Sequence, residues 1–496
     1  MRYLFCVAAL AVMAGCSGAP EPAAPATVAE IVAPSPVVTA VFEPYVFTAM
    51  GGVKVEAEKG SFTVLENRSD PNSRRITIGF VRFPSTSATP GDPIVYLAGG
   101  PGGTGTGTAI GPRFPLFMAL REVADVIAFD QRGTGFSSTA KLCVNAPPFG
   151  ADTPLTRANI VAFQRAALTR CFDVWEQGGV DIDGYTTLEN AHDIEDLRRA
   201  LGARRVNLWG ISYGSHLGLA VMKYHPATVG RAVLSGIEGL DQTIKRPALT
   251  DKVFAHVQEI IHADPAARAL YPDLAGMMRR VHAKLNANPA TVSYTPAGAT
   301  APVSVTFDGF AVQLLVSSMT ADPAGFARVP LMYRALDSGQ YDEIAPLVNS
   351  FRQQFAAFRG MPEAMDLASG ATAARLALTN REAETSLLGD ALNFPMPHVM
   401  GVRPQIDLGD DFRAPFKSDI PALFISGTLD GRTYPDEAAE ETKGFSNRRR
   451  LIVENGGHNI YEADKRVADA VVAFFKGEPT PEAIAFAPPV IAKPSP

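Results

Sequence analysis

The chain has 496 residues, of which 46% are hydrophobic and 19% are charged, and its formal net charge is −6. This composition is that of an ordinary globular protein and excludes the hydrophobic-poor, highly charged class of disordered chains. The negative net charge argues against a nucleic-acid partner, because phosphate backbones are bound by basic surfaces.

The first residues have the pattern of an export signal. Arg2 precedes an apolar stretch over residues 4–14, and small residues lead to Cys16. We expect residues 1–16 to be a signal peptide with a lipobox-like end and Cys16 to be lipidated, although Met13 stands where leucine is usual. This predicts a periplasmic or membrane-anchored lipoprotein whose membrane contact is only its lipid. Plain cleavage to a soluble periplasmic protein is the alternative.

Residues 17–40 are rich in Ala, Pro, Glu, Ser and Thr and predict a flexible linker. After them, two alternating segments predict an antiparallel entry hairpin, and short apolar runs predict buried strands. The hairpin covers residues 61–66 and 75–83, and the strands cover 93–98, 125–129, 206–209, 231–235, 422–426 and 450–453. A helix is predicted over residues 187–201, between a capping box at Thr186 and Glu189 and a terminating Gly202. Alternating strands and helices predict a mostly parallel sheet covered on both faces.

This alternation stops between residues 241 and 416, where the pattern is mostly helical. We expect a helical cap there, inserted into a catalytic domain made of residues 41–240 and 417–477. The Pro- and Ala-rich segment 478–496 predicts a disordered tail. Once Cys6 and Cys16 are assigned to the export segment, Cys143 and Cys171 remain. An even pair in an oxidising compartment predicts a disulfide, with two buried thiols as the alternative.

The strongest chemical signal is the sequence Gly210-Ile211-Ser212-Tyr213-Gly214. It follows a predicted strand and precedes a predicted helix, which is the setting of the nucleophile elbow of α/β-hydrolases. The turn is so tight that the positions flanking the serine require glycine, and it lifts the hydroxyl above the sheet edge. We therefore predict Ser212 as a nucleophile.

A serine hydroxyl needs a base, and in this fold the acid and then the histidine follow the nucleophile along the chain. Asp430 follows the predicted strand 422–426, and His458 follows the strand that ends at residue 453. Both positions lie at carboxyl ends of strands, where ligands bind in open α/β sheets. We predict that His458 transfers the proton and that Asp430 orients its imidazole.

Acyl transfer also needs donors for the oxyanion. The backbone N–H of Tyr213 is one candidate, and Gly100, in the glycine-rich loop 99–103 after an early strand, is the other. A flexible loop or a phosphate cradle is the alternative, but no Gly-Lys-Ser/Thr follows, as a P-loop would require.

These motifs together resemble the proline iminopeptidase and tripeptidyl aminopeptidase family. The resemblance rests on Gly-Gly-Pro-Gly-Gly at 99–103, Asp-Gln-Arg-Gly-Thr-Gly at 130–135, the elbow at 210–214, Ser426-Gly427 with Asp430, and Gly457-His458. It covers roughly residues 90–240 and 418–476; it is specific for the catalytic frame and weak for the cap. We expect the turn at 130–135 to be structural, with Arg132 tying loops together.

The resemblance implies an α/β-hydrolase fold with an inserted cap and an enzyme that releases N-terminal residues or short peptides, without metal or organic cofactor. Such an enzyme must hold a protonated amine, and Glu238, after the strand at 231–235, is the candidate carboxylate; a solvated hinge carboxylate is the alternative reading. A carboxylesterase remains open, because fold and triad do not choose between amide and ester. A non-catalytic binding module is a third possibility, against which the complete triad argues.

Overall fold

The computed structural model describes residues 38–137 and 140–494. The predicted signal peptide, Cys16 and most of the predicted linker therefore lie outside the described residues. The strands are β1 (Val41–Thr48), β2 (Lys54–Leu65), β3 (Arg75–Phe83), β4 (Ile94–Leu97), β5 (Val126–Phe129), β6 (Cys143–Val144), β7 (Val206–Ile211), β8 (Val229–Ser235), β9 (Ala290–Tyr294), β10 (Val303–Phe307), β11 (Ala357–Phe358), β12 (Ala422–Gly427), β13 (Arg448–Glu454) and β14 (Ala483–Ala485).

Most of these strands form one sheet in the order β1-β2-β3-β5-β4-β7-β8-β12-β13-β14. The pairs from β1 to β5 are antiparallel, and those from β5 through β4 to β14 are parallel. The parallel strands β4, β5 and β7 are buried along their whole length. This is the pattern of a sheet with helices on both faces, and it brings the carboxyl ends of the parallel strands to one edge.

The helices are α1 (Gly105–Ile110), α2 (Phe114–Leu120), α3 (Arg157–Gln177), α4 (Thr187–Ala200), α5 (Tyr213–Tyr224), α6 (Pro247–Ala263), α7 (Pro265–Leu270), α8 (Leu274–Ala287), α9 (Gly309–Met319), α10 (Pro323–Asp337), α11 (Ile344–Asn349), α12 (Phe351–Gln354), α13 (Met361–Ser369), α14 (Ala373–Ala383), α15 (Gly409–Arg413), α16 (Pro435–Glu441) and α17 (Lys465–Lys476). No helix in the described part of the chain is long and apolar enough to cross a membrane.

Two apolar clusters cover the two faces of the sheet because strand side chains alternate between them. On β4, Val95 and Leu97 belong to the cluster that contains α3, α4 and α5, whereas Ile94 and Tyr96 belong to the cluster that contains α2 and α17. The nucleophile helix α5 is buried by the first of these clusters.

The region between β8 and β12 is mostly helical and builds a third apolar cluster of its own. Two segments pack on the other side of the predicted boundary between the catalytic domain and the cap. Phe149, Leu155 and Ile160, which the sequence analysis assigns to the catalytic domain, join the third cluster, while α13 of the predicted cap packs in the cluster of α4 and α5.

A disulfide joins Cys143 and Cys171, as the cysteine count predicts. It links β6 to α3, and β6 in turn pairs with β11 from the inserted region. The disulfide therefore lies where the segment before the elbow meets the insertion.

The prediction of a disordered tail is wrong for the described part of residues 478–496. Strand β14 pairs in parallel with β13, and the amide of Ala492 donates to the carbonyl of Ala327. At the other end, Val38 and Ala40, which fall in the predicted linker, pack against the core. Composition predicts flexibility in both segments, but edge pairing and apolar contacts order the parts of them that the structure describes.

Candidate active site

Ser212 stands at the sharp turn between β7 and α5. Its backbone has φ 56° and ψ −129°, a conformation that L-residues seldom adopt outside functional turns. A Cβ on Gly214 would lie 2.0 Å from the carbonyl oxygen of Leu97, and one on Gly210 would lie 2.5 Å from that of Gly214. The flanking glycines are thus required by close backbone contacts, as the elbow motif predicts.

His458 and Asp430 lie on the loops after β13 and β12. Nδ1 of His458 and Oδ2 of Asp430 are 2.8 Å apart. Asp430 is buried, and its Oδ1 accepts hydrogen bonds from the amides of Arg432 and Thr433 at 2.8 and 3.0 Å. Since a carboxylate only accepts, Nδ1 carries the proton, and Nε2 of neutral His458 is an acceptor.

Ser212 and His458 line the same cavity, which has a volume of about 380 Å³. Ser212 Oγ and His458 Nε2 form no hydrogen bond in this structure; such contacts often tighten only when substrate binds. The chain order and the strand ends therefore bring the predicted nucleophile, base and acid to one edge of the sheet.

The loop that carries His458 is held by residues of the insertion. The amide of His458 donates to the carbonyl of Ala321 at 2.7 Å, and the side chain of Asn459 donates to Asp322 at 2.7 Å. On the other side, Gly236 has φ +54°, and a Cβ there would lie 3.0 Å from Cε1 of His458. The imidazole is thus positioned by backbone contacts from two directions.

The glycine-rich loop after β4 closes over the nucleophile. A Cβ on Gly99 would lie 2.9 Å from Cβ and 3.6 Å from Oγ of Ser212. Gly100 lines the cavity, and Tyr213 begins α5, where the first N–H groups have no acceptor within the helix. The predicted oxyanion donors therefore belong to the two backbone segments next to Ser212.

Arg132, in the turn at 130–135, lies away from the cavity. It is fully buried, its Nε is 2.7 Å from Oδ2 of Asp193, and it donates to the carbonyls of Glu66 and Gly184. These bonds connect the residue after β2, the loop before α4 and α4 itself, which agrees with the structural role expected for this arginine.

Glu238, the candidate amine-binding residue, lines the same cavity as Ser212. Its Oε2 is 2.9 Å from Nζ of Lys245, so this carboxylate already has a cationic partner. The structure therefore places Glu238 at the site but does not leave it unpaired.

A second carboxylate, Asp366 on α13, was not found by sequence reasoning. It lines a separate cavity of about 290 Å³, and its carboxylate forms no hydrogen bond or ion pair with any described residue. Burial raises its pKa to about 7; Lys245 and Arg432 oppose this shift, whereas Glu238 and Glu363 increase it. Asp366 is therefore within electrostatic reach of three residues that line the cavity of Ser212. No local motif marks it among the acids of the insertion.

Comparison with known proteins agrees with this architecture. Residues 92–295 match the family model described as "alpha/beta hydrolase fold", and the matched segment contains the glycine-rich loop and the elbow. The protein therefore has the α/β-hydrolase fold. The predicted fold class is confirmed.

The chain is also similar to three curated proteins. It is 28% identical to the tripeptidyl aminopeptidase of Streptomyces coelicolor over 193 residues, which are 36% of this chain and 34% of the relative. It is 28% identical to the serine protease Hip1 of Mycobacterium tuberculosis over 185 residues, 36% and 35% of the two chains. It is 42% identical to a probable proline iminopeptidase of Streptomyces coelicolor over 57 residues, 12% and 18% of the two chains. The similarity thus spans about a third of the first two relatives.

Proposed function

We propose that this hydrolase is an aminopeptidase that releases N-terminal residues or short peptides through an acyl-enzyme intermediate. Ser212 Oγ attacks the scissile carbonyl while His458 Nε2 takes its proton. The N–H groups of Gly100 and Tyr213 stabilise the oxyanion, and His458 returns the proton to the departing amine. Water then attacks the ester in the same way and frees Ser212.

The observation that carries the peptidase assignment is the unpaired carboxylate of Asp366. An ammonium group is costly to bury unless an anion pairs with it. Burial raises the pKa of Asp366 to about 7, Lys245 and Arg432 oppose this shift, and no cation of the described residues forms an ion pair with its carboxylate. A protonated substrate amine would supply that cation. Glu238, although paired with Lys245, is a second acid beside Ser212 and keeps its candidacy.

The relatives support the same reaction class. Two of the three are named for cleavage at the N-terminus of peptides, and the third is named a serine protease. Their similarity covers at most 36% of this chain, so the amine site is inferred from this chain's own acids.

The decisive measurement is kcat/KM for one peptidyl amide with a free and with an acetylated N-terminus. We expect the free amine to be preferred by about 100-fold or more, because leaving one partner of a buried charge pair alone costs roughly 2–5 kcal/mol. Asp366→Asn and Glu238→Gln identify which carboxylate binds the substrate amine. The acid whose substitution abolishes the preference for the free amine is the one that binds it. Asp342→Asn, on an exposed aspartate of the insertion, is the matched control and keeps the preference.

Equal kcat/KM values for the two amides would reject the aminopeptidase and favour the carboxylesterase. Simple esters in the same panel would then be the better substrates. A preference that survives both substitutions would show that neither acid holds the amine.

We further propose that the protein is exported and held at the membrane by lipid on Cys16. The apolar stretch after Arg2 and the disulfide between Cys143 and Cys171 support this, because disulfides persist in oxidising compartments. Cys16→Ser should move the protein from the membrane fraction to the soluble one. An unchanged distribution would reject the lipid anchor.

A further inference from the structure

Three cationic side chains line the catalytic cavity: Arg113, Lys245 and Arg432. Two of them are neutralised. Arg113 forms a bidentate pair with Glu462 at 2.9 and 3.0 Å, and Lys245 is 2.9 Å from Glu238. Arg432 has no ion-pair partner among the described residues, so it is the cation whose charge is free to act on a bound molecule.

The hydrogen bonds of Arg432 use one part of its guanidinium. Nη1 donates to Oγ of Ser317 at 3.1 Å, and to the carbonyl oxygens of Ser317 and Leu392, both at 3.5 Å. Nε and Nη2 form no hydrogen bond with any residue in the described ranges. Because a guanidinium presents its N–H groups as a rigid fork, the remaining donors can bind both oxygens of a carboxylate.

The backbone of Arg432 is also fixed next to the catalytic residue Asp430. It stands two residues after Asp430, and its backbone amide donates to Oδ1 of Asp430 at 2.8 Å. Its side chain lines both the catalytic cavity and a second cavity of about 260 Å³, whose walls include Phe351, Phe355 and Phe394. A substrate group that extends from Ser212 into this second cavity therefore passes the guanidinium.

We propose that Arg432 is a specificity-determining residue that binds a carboxylate of the substrate. This deepens the proposed aminopeptidase function and rests on it. The unpaired acid Asp366 and the unpaired cation Arg432 then receive opposite charges of one molecule, its ammonium and its carboxylate. The carboxylate is either an acidic side chain or the free C-terminus of a short peptide.

The test compares matched substrates that differ in one carboxylate. One pair carries Glu or Gln at a given position of a peptide amide, and the other pair is a short peptide with a free or an amidated C-terminus. We expect kcat/KM to favour the carboxylate in at least one pair by about 10-fold or more, since charged hydrogen bonds contribute roughly 1.5–3 kcal/mol. The pair that shows the preference identifies the source.

The variants assign the preference to Arg432. Arg432→Gln should reduce the preference to nearly one, and Arg432→Lys should retain part of it, because the charge remains without the fork. Arg450→Gln is the matched control, since Arg450 is exposed on β13 at the opposite end of the strand from His458. It should leave the preference intact.

A wild-type enzyme without preference in either pair would overturn the proposal, and so would a preference that survives Arg432→Gln. The wild-type comparison decides even if the glutamine variant does not fold. If the acetylated and free peptides react equally, the amine is not bound, and an ester pair replaces the peptides. The ratio of kcat/KM with and without the carboxylate is then measured with 4-nitrophenyl hydrogen glutarate and its methyl ester. A carboxylate preference there would retain Arg432 as the anchor while the aminopeptidase assignment falls.

Discussion

The carboxyl edge of the sheet and the helical region inserted above it differ in how their functional residues are recognised. At the sheet edge, Ser212 and Asp430 each follow a buried strand, and His458 follows the partly exposed strand β13. All three stand beside glycines at which a Cβ would contact neighbouring atoms. In the insertion, Asp366 lies on an ordinary amphipathic helix, and it is singled out only because its carboxylate has no hydrogen-bond or ion-pair partner among the described residues. Local sequence motifs therefore predict the catalytic residues, whereas the residues proposed to select the substrate depend on packing between distant segments.

The largest effect should come from the sheet edge. Ser212→Ala should lower kcat by roughly 10⁴-fold or more, and adding His458→Ala should cost little beyond that, because the triad acts as a unit. Circular dichroism melting of the variants checks that the fold is retained. A fluorophosphonate should label Ser212, and labelling of another serine in the wild type would contradict the assignment.

The contact between Gly236 and His458 tests how tightly the sheet edge is packed. Gly236→Ala would bring a methyl group 3.0 Å from Cε1 of the imidazole. We expect kcat to fall by about 10-fold to 100-fold, because displacing a catalytic group by about 1 Å has effects of this size. Gly298→Ala is the matched control: Gly298 also has positive φ, +79°, but no heavy atom lies within 4 Å of its added Cβ. Equal losses in both variants would mean that backbone strain, and not contact with His458, is responsible.

The disulfide tests whether the junction with the insertion contributes stability. The two cysteines are 28 residues apart, so the Cys143→Ser/Cys171→Ser variant should lose about 3.6 kcal/mol of unfolding free energy. Urea denaturation measures this loss, and dithiothreitol should produce the same shift in the wild type. The catalytic constants below the unfolding range should change little, because the disulfide is outside the catalytic cavity. An unchanged urea midpoint after reduction would contradict a stabilising role.

Sequence reasoning was most successful where the signal is local. The elbow, the strand ends that carry the triad and the buried role of Arg132 all follow from short motifs with one structural solution. The helix after Thr186 is also correct, and Thr186 accepts the amide of Glu189. The expected reciprocal bond is replaced by a long-range one, because the Glu189 carboxylate binds Arg68.

Contacts between distant segments account for what was missed. The short strand β14 follows a segment of linker-like composition and is ordered by pairing with β13. Asp366 and Arg432 gain their significance only when α13 and the loop after β12 come to line cavities in the folded chain. One cavity at Arg432 shares Phe355 and Phe394 with the cavity at Asp366. Composition and periodicity do not encode which charges remain unpaired after folding.

The smallest predicted effect is a pH dependence that joins the two regions. Asp366 has a pKa of about 7, and its ionised form is the one that attracts an ammonium group. From pH 8 to pH 6 its ionised fraction falls about 10-fold, while the protonated fraction of a substrate amine with pKa near 8 rises about 2-fold. The preference for free over acetylated substrate should therefore fall by about 5-fold over this range. The ratio is informative because both substrates use the same catalytic residues, so any pH dependence that the two reactions share cancels. Asp366→Asn should make the ratio small and independent of pH. A ratio that keeps its pH dependence in that variant would assign the titration to another group, and a flat ratio in the wild type would separate Asp366 from amine binding.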